Sequence, residues 1–254
     1  MHVSETAAGY RQRRLGLKAE SVGFVPTMGA LHAGHAALVR RSVQENDATA
    51  VSIFVNPSQF NDPKDLERYP RTLERDLALL EELGADEVFF PTVEEMYPEG
   101  YRFHLEAGFL TGVMEGLHRP GFLQGVLTVV LKLLNIAGPC RAYFGEKDFQ
   151  QFVAVREMVR EFFLPVEIVP CETVREESGL ALSSRNALLS GEGRAKAAAI
   201  FRALTGAATA EEAAARIAAA GLRVEYVEER WNRRFAAAFL EGVRLIDNVP
   251  LGKG

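Results

Sequence analysis

PTMGALHAGHAALV, residues 26–39, is the stretch that decides the fold. It joins an apolar run over 21–25 to a segment over 35–45, where Ala37, Leu38 and Val43 fall at helical spacing against Arg40, Arg41 and Gln44. A strand that passes through a glycine-containing turn into a helix opens a βαβ unit. Working outward, ATAVSIFV over 48–55 reads as a buried strand rich in β-branched residues. Residues 56–70 read as a loop punctuated by Pro57, Pro63 and Pro70. Residues 73–83 follow as a helix closed by Gly84, and 87–90 as another strand. This alternation predicts an α/β chain with a parallel sheet and crossover helices.

The theme continues with a mostly buried helix over 125–136, a strand end over 142–145, a helix over 149–163 and a strand over 166–169. Near Ser190 the composition shifts to an alanine-rich stretch with helices from Arg194 and Ala210, then strand-like runs over 223–228 and 235–240. The expectation is a larger α/β domain over 1–182 and a smaller α+β domain over 183–254.

With 29 Lys and Arg against 34 Asp and Glu, the net charge is −5, which gives no general pull toward nucleic acid or an anionic membrane. A hydrophobic share of 48% and a charged share of 25% exclude disordered, collagenous and coiled-coil classes. Cys140 and Cys171 are too few for a disulfide framework and lack zinc-site spacing, so a reducing cytoplasm is expected. The start has no contiguous apolar segment of the secretory kind. The longest apolar stretch, 126–137, is interrupted by Lys132 and Asn135 and is too short to cross a bilayer.

Four segments hold candidate chemistry. In the opening stretch, Gly29 and Gly34 permit tight turns, a helix N-terminus favours anions, and His32 and His35 are spaced to flank one phosphate. FVNPSQF over 54–60 supplies the neutral amides of Asn56 and Gln59, which can orient a hydroxyl or carboxylate. FGEKDFQQ over 144–151 offers Lys147 to a phosphate and Asp148 to a ribose hydroxyl or a metal, with Gln151 one turn on. GLALSSRN over 179–186 places two hydroxyls and a guanidinium in a compact anion clamp. Taken singly, each segment also reads as a structural turn or a capped helix. Neither a Gly-Lys-Ser phosphate loop nor a GxGxxG opening is present, which disfavours P-loop kinases and Rossmann dehydrogenases.

Together these segments resemble the pantothenate synthetase (pantoate–β-alanine ligase) family of the HIGH-motif, Rossmann-like nucleotidyltransferase superfamily. The resemblance runs over about 22–186 through PTMGALHAGH, FVNPSQF, DLERYPRT, GVLTVVLKLLNI, FGEKDFQQ and GLALSSRN, and resumes at RLIDN, 244–248. It implies an ATP-dependent ligase acting on pantoate and β-alanine with Mg²⁺, as a cytoplasmic homodimer, with a smaller domain or loop covering the site. It implies an ATP site of Met28, Gly29, Ala30, Leu31, His32, Ala33, Gly34 and His35, with Gly145, Glu146, Lys147, Asp148, Val174, Leu182, Ser183, Ser184 and Arg185. His35 would be the proton donor, and His32, Lys147 and Arg185 would share the catalytic charge stabilisation. Gln59 and Gln151 would hold pantoate, with Gln59 also near β-alanine. No metal ligands are assigned.

Three features depart from the family pattern. Gly121-Phe122-Leu123 replaces Gly-His-Phe, Ser178-Gly179-Leu180-Ala181 replaces Asp-Gly-Leu-Ala, and the region over 226–245 is short. Two other readings stay open from residues alone: transfer of a nucleotide onto a phosphorylated acceptor, and a nucleotide-binding module without turnover.

Overall fold

The computed structural model describes residues 1–61 and 63–252. Asp62 in the expected loop, and residues 253 and 254 at the end of the expected second domain, lie outside them. By its contacts the chain forms two units. The first comprises Met1–Leu31, His35–Gly145 and Gln150–Cys171, and the second comprises His32–Gly34, Glu146–Phe149 and Glu172–Gly254. The expected boundary lay between 182 and 183; the contact division falls earlier, before Glu172.

In the first unit the order is β1 (His2–Ser4), α1 (Ala7–Gly16), β2 (Val22–Thr27), α2 (Ala33–Glu45), β3 (Ala48–Ile53), α3 (Pro63–Arg68), α4 (Leu73–Glu82), β4 (Glu87–Phe89), α5 (Val93–Met96), α6 (Met114–His118), α7 (Phe122–Ala137), β5 (Cys140–Gly145), α8 (Phe149–Glu161) and β6 (Val166–Cys171). The six strands form one parallel sheet in the order β1-β4-β3-β2-β5-β6. All six residues of β3 are buried, as a strand covered on both faces requires. Val25, Val39, Val51, Leu80 and Val88 meet in its core. The order reverses between β2 and β5, and the crevice at the carboxyl ends of such strands is where ligands bind in open α/β sheets.

The second unit contains α9 (Gly191–Ala197), α10 (Ala199–Gly206), α11 (Ala210–Ala219), β7 (Arg223–Arg230), β8 (Arg233–Leu240) and β9 (Val243–Pro250). Its three strands form an antiparallel sheet in chain order. Both turns are two residues long, Trp231-Asn232 and Glu241-Gly242, and all four residues have positive φ. That is the turn whose twist suits a hairpin. Its core gathers Ile200, Leu204, Ile217, Ala236 and Leu245.

The expectation of one loop over 56–70 needs correction. Pro57–Gln59 forms a 3-10 turn, started by Asn56, whose side chain accepts the Ser58 N–H, and Pro63–Arg68 is helical. The sequence reading also lacks β1, α1, α5, α6 and β9. In β9 the buried residues include Asp247 and Asn248, which hides the apolar alternation that marks a strand.

Candidate active site

The loops after β2, β3 and β5 leave the same edge of the sheet, because parallel strands end together. After β2, Gly29 has φ +76 and Ala30 φ +49, so the backbone doubles back within two residues. The turn is held from outside. The carboxylate of Asp76, in α4 and fully buried, accepts the N–H of Ala30 at 2.8 Å and of Leu31 at 2.9 Å. Thr72 donates its hydroxyl to the same carboxylate at 3.1 Å, and Thr27 Oγ1 accepts the Gly29 N–H at 3.1 Å. A cavity of about 270 Å³ beside the turn is lined by Met28, Gly29, Ala30, Phe54, Thr72 and Asp76. The N–H groups of Gly29, Ala30 and Leu31 are therefore committed to side chains, so an anion here would draw on other donors.

His32 supplies one. Its Nδ1 accepts the Gly34 N–H at 3.1 Å, which leaves the proton of the neutral ring on Nε2. Burial, and after it the charge of Lys147, pushes the His32 pKa below the ordinary value, against the pull of Asp148. The ring is thus an uncharged donor at neutral pH. His35 is the third residue of α2, in the first turn of a helix with no acidic residue there. A helix N-terminus of this kind favours an anion.

After β3, Gln59 ends the 3-10 turn; its Nε2 reaches the Met28 sulfur at 3.1 Å, and its Oε1 accepts from Asn56 at 3.0 Å. Gly125 of α7 makes the packing of this turn possible, since a Cβ there would lie 2.8 Å from the Gln59 nitrogen. After β5, Glu146–Asp148 forms a 3-10 turn within the second unit. Asn248 donates its amide to the carbonyls of Glu146 and Lys147, each at 2.9 Å, and Arg233 lies 3.5 Å from the Glu146 carboxylate. Lys147 and Asp148 are 3.7 Å apart. Asp247, next to Asn248, grips Arg175 through two bonds of 2.6 and 3.0 Å. Burial pushes its carboxyl up, and Arg175 opposes that.

Of the expected residues, the first unit holds Met28–Leu31, His35, Gln59, Gly145 and Gln151. The second holds His32–Gly34, Glu146–Asp148, Val174 and Leu182–Arg185. Within the second, Leu182 N–H bonds to the Val174 carbonyl at 3.0 Å, and the Ser183 hydroxyl accepts the Arg185 N–H at 3.2 Å. The side-chain amide of Gln151 makes no hydrogen bond among the described residues. Its neighbour Gln150 is buried and occupied, accepting the Glu115 N–H and donating to the carbonyls of Leu110 and Val113. At the departing positions, the Phe122 ring supports the Arg119 guanidinium at 3.6 Å, and Ser178 accepts the Leu180 N–H at 3.4 Å. Burial pushes the Cys140 thiol up to about 12, so it is no thiolate nucleophile at neutral pH.

A family model described as pantoate-beta-alanine ligase matches residues 2–250. The chain belongs to the pantoate-beta-alanine ligase family. It is an enzyme of pantothenate biosynthesis that joins pantoate to β-alanine. The pantothenate synthetase of Bdellovibrio bacteriovorus is 54% identical over 231 residues, covering 91% of this chain and 92% of that one. A crystal structure of pantothenate synthetase from Thermus thermophilus superposes with a TM-score of 0.88 at 45% identity, covering 98% and 99% of the two chains. The pantoate-beta-alanine ligase of Francisella tularensis, crystallised with beta-gamma ATP and beta-alanine, gives a TM-score of 0.93 at 40% identity, covering 100% and 99%.

The sequence reading missed the residues that hold the candidate segments in place: Asp76, Thr72, Gln150, Asn248 and Tyr97, whose hydroxyl donates to Asn56 Oδ1 at 2.8 Å. Three of them lie inside quoted motifs, Thr72 in DLERYPRT, Gln150 in FGEKDFQQ and Asn248 in RLIDN, but with no role attached; Asp76 and Tyr97 lie in none.

Proposed function

We propose that the ligase works through a pantoyl adenylate, with ATP as the activating substrate. A carboxylate is a poor electrophile toward an amine and needs a better leaving group. A pantoate carboxylate oxygen attacks the α-phosphorus of ATP, and the bond to the bridging oxygen breaks to release pyrophosphate. The β-alanine nitrogen then attacks the acyl carbon, AMP leaves with the bonding pair, and the amine loses a proton. The observation behind this reading is that the loops after β2, β3 and β5 leave one sheet edge with imidazoles, neutral amides and Lys147-Asp148.

In this reading Met28–His35, Gly145–Asp148, Val174 and Leu182–Arg185 hold ATP. His32 Nε2, Lys147 and Arg185 take up charge on the phosphates, and His35 gives a proton to a phosphate oxygen. Gln59 and Gln151 hold pantoate, and Gln59 also meets β-alanine. No covalent enzyme intermediate is needed, in keeping with the protonated state of Cys140. Residues 1–182 act as the ATP and pantoate domain and 183–254 as a lid and substrate domain.

Among the described residues no group of three or more His, Cys, Asp or Glu side chains could hold a metal ion. The donor set therefore fits an ion that brings phosphate oxygens with it, as Mg²⁺ commonly does. Of the two carboxylates in this turn, Asp148, paired with Lys147, is more exposed than Glu146, paired with Arg233, and is the one proposed to meet it. When bound, the ion supplies charge neutralisation on the triphosphate. The family resemblance supports a homodimer and a cytoplasmic location, and no helix among the described residues is long and apolar enough to cross a membrane.

An omission assay tests the reading. Pantoate with MgATP is expected to support exchange of labelled pyrophosphate into ATP without β-alanine, and adding β-alanine should yield AMP and pantothenate in equal amounts. No pantoate-dependent exchange and no AMP would overturn it.

A further inference from the structure

Gln59 is held by a line of polar groups that starts 38 positions further along the chain, at Tyr97. The Tyr97 hydroxyl donates to Asn56 Oδ1 at 2.8 Å. The Ser58 hydroxyl donates to the same oxygen at 2.9 Å, and the Ser58 N–H approaches it at 3.4 Å. Asn56 is fully buried, and its NH₂ is spent as well: one N–H goes to the Gly125 carbonyl at 3.1 Å, the other to Gln59 Oε1 at 3.0 Å. A backbone carbonyl only accepts and a backbone N–H only donates, so Gly125 and Ser58 settle which end of Asn56 is nitrogen. Asn56 in turn settles Gln59, whose oxygen is occupied and whose NH₂ points away toward Met28.

That NH₂ meets a thioether sulfur at 3.1 Å, a weak acceptor. A carboxylate or hydroxyl oxygen is a far better one, whereas an ammonium group offers no acceptor at all. The brace behind Asn56 is itself fixed. The Lys132 ammonium, on α7, lies 4.5 Å from the Tyr97 ring centroid and donates to the carbonyl of Met96, the residue before Tyr97. Tyr101 packs edge-on against the same ring at 5.1 Å. The Tyr97 hydroxyl therefore has little freedom to leave Asn56.

We propose that Tyr97 is a positioning residue for the acid substrate: its hydroxyl braces Asn56, and through it fixes Gln59 so that an N–H donor faces a substrate oxygen. This rests on the reading that Gln59 meets pantoate and β-alanine. It adds that Gln59 contacts the oxygens of those substrates and not the β-alanine nitrogen.

The test is steady-state kinetics with each of the three substrates varied, for Tyr97→Phe, Gln59→Ala and the double variant. Tyr97→Phe keeps the ring and its packing and removes the hydroxyl's bond to Asn56 together with its 3.1 Å hydrogen bond to the Ser58 hydroxyl. The expected result is a rise of about three- to tenfold in the KM for pantoate, with the KM for ATP unchanged. The double variant should be no worse than Gln59→Ala alone, because Tyr97 acts only through Gln59. A purely structural role would instead add its effect in both backgrounds and would raise the KM for ATP too; either outcome overturns the proposal. An unchanged pantoate KM in Tyr97→Phe overturns it while leaving the Gln59 reading intact. An unchanged pantoate KM in Gln59→Ala removes that reading and the proposal with it. If Tyr97→Phe fails to fold, ring-fluorinated tyrosine at position 97 keeps the hydroxyl and lowers its pKa. The pantoate KM is then expected to rise over the pH range in which the ring's absorbance shows that hydroxyl ionising, and a KM that stays flat across that range overturns the proposal.

Discussion

His32 shows how one ring can serve an anion without carrying charge. Its Nδ1 is tied to Gly34, and its pKa is lowered first by burial and then by Lys147. In the unfolded chain the same imidazole titrates near its ordinary value, about 6.5. Below that pH the unfolded state binds the proton before the native state does, so acidification favours unfolding until the native ring also titrates. Above it the ring is neutral in both states and contributes no pH dependence. Stability of the protein is therefore expected to fall between pH 7.5 and 5.5 by more in the parent than in His32→Asn, as read from urea midpoints at both values. Lys147→Ala should raise the His32 pKa toward 6.5 in an NMR titration, and an unmoved resonance would rule out the charge effect. The strand-to-turn-to-helix setting of the histidine pair was legible in the sequence, from the apolar run before it and the helical spacing after it. Asp76 was not. It supports the same turn from 45 and 46 positions away, and no local spacing reports such a contact.

At the scale of elements, the contact between α7 and the turn after β3 depends on one missing side chain. A methyl on Gly125 would come within 2.6 Å of the Ser58 carbonyl carbon and 2.8 Å of the Gln59 nitrogen, both backbone atoms that cannot swing aside. Gly125→Ala is expected to displace the turn and cost about 1–3 kcal/mol of stability, as overpacking does. Because Gln59 moves with the turn, the KM for pantoate should rise while ATP binding, followed by titration calorimetry, stays near that of the parent. Equal loss for both substrates would show that the turn does not act on the acid alone. The sequence marked α7 as a buried helix by its near-continuous apolar run. It read residues 56–70 as plain loop because prolines and polar residues dominate there. Helix formation in such a segment comes from side-chain caps such as that of Asn56, not from periodicity. Gln150, the neighbour of the expected Gln151, shows the same limit. They are adjacent on α8, and only the three-dimensional contacts give Gln150 to Leu110, Val113 and Glu115.

Across the whole molecule the chain divides into two units, each with its own core, and the expected nucleotide residues are shared out between them. The sequence announced the change of composition near Ser190 but not that His32–Gly34 and Glu146–Phe149 group with the later part, since both lie deep within the earlier one. A chain with two cores need not unfold in one step. The single tryptophan makes this measurable: Trp231 sits in the β7–β8 turn with Phe149 and Phe235 centroids at 6.2 and 5.8 Å, all in the second unit. Tryptophan fluorescence therefore follows the second unit, while far-UV circular dichroism weighs both. Leu204→Ala removes a fully buried side chain from the second core, and Leu80→Ala one from the first; each should cost about 2–5 kcal/mol. If the cores unfold separately, Leu204→Ala lowers the fluorescence midpoint in urea and splits it from the dichroism curve, and Leu80→Ala lowers the dichroism midpoint with fluorescence left in place. Coincident curves that shift together in both variants would mean that one cooperative transition spans the two cores. In that case damage to either core would remove every expected nucleotide residue at once.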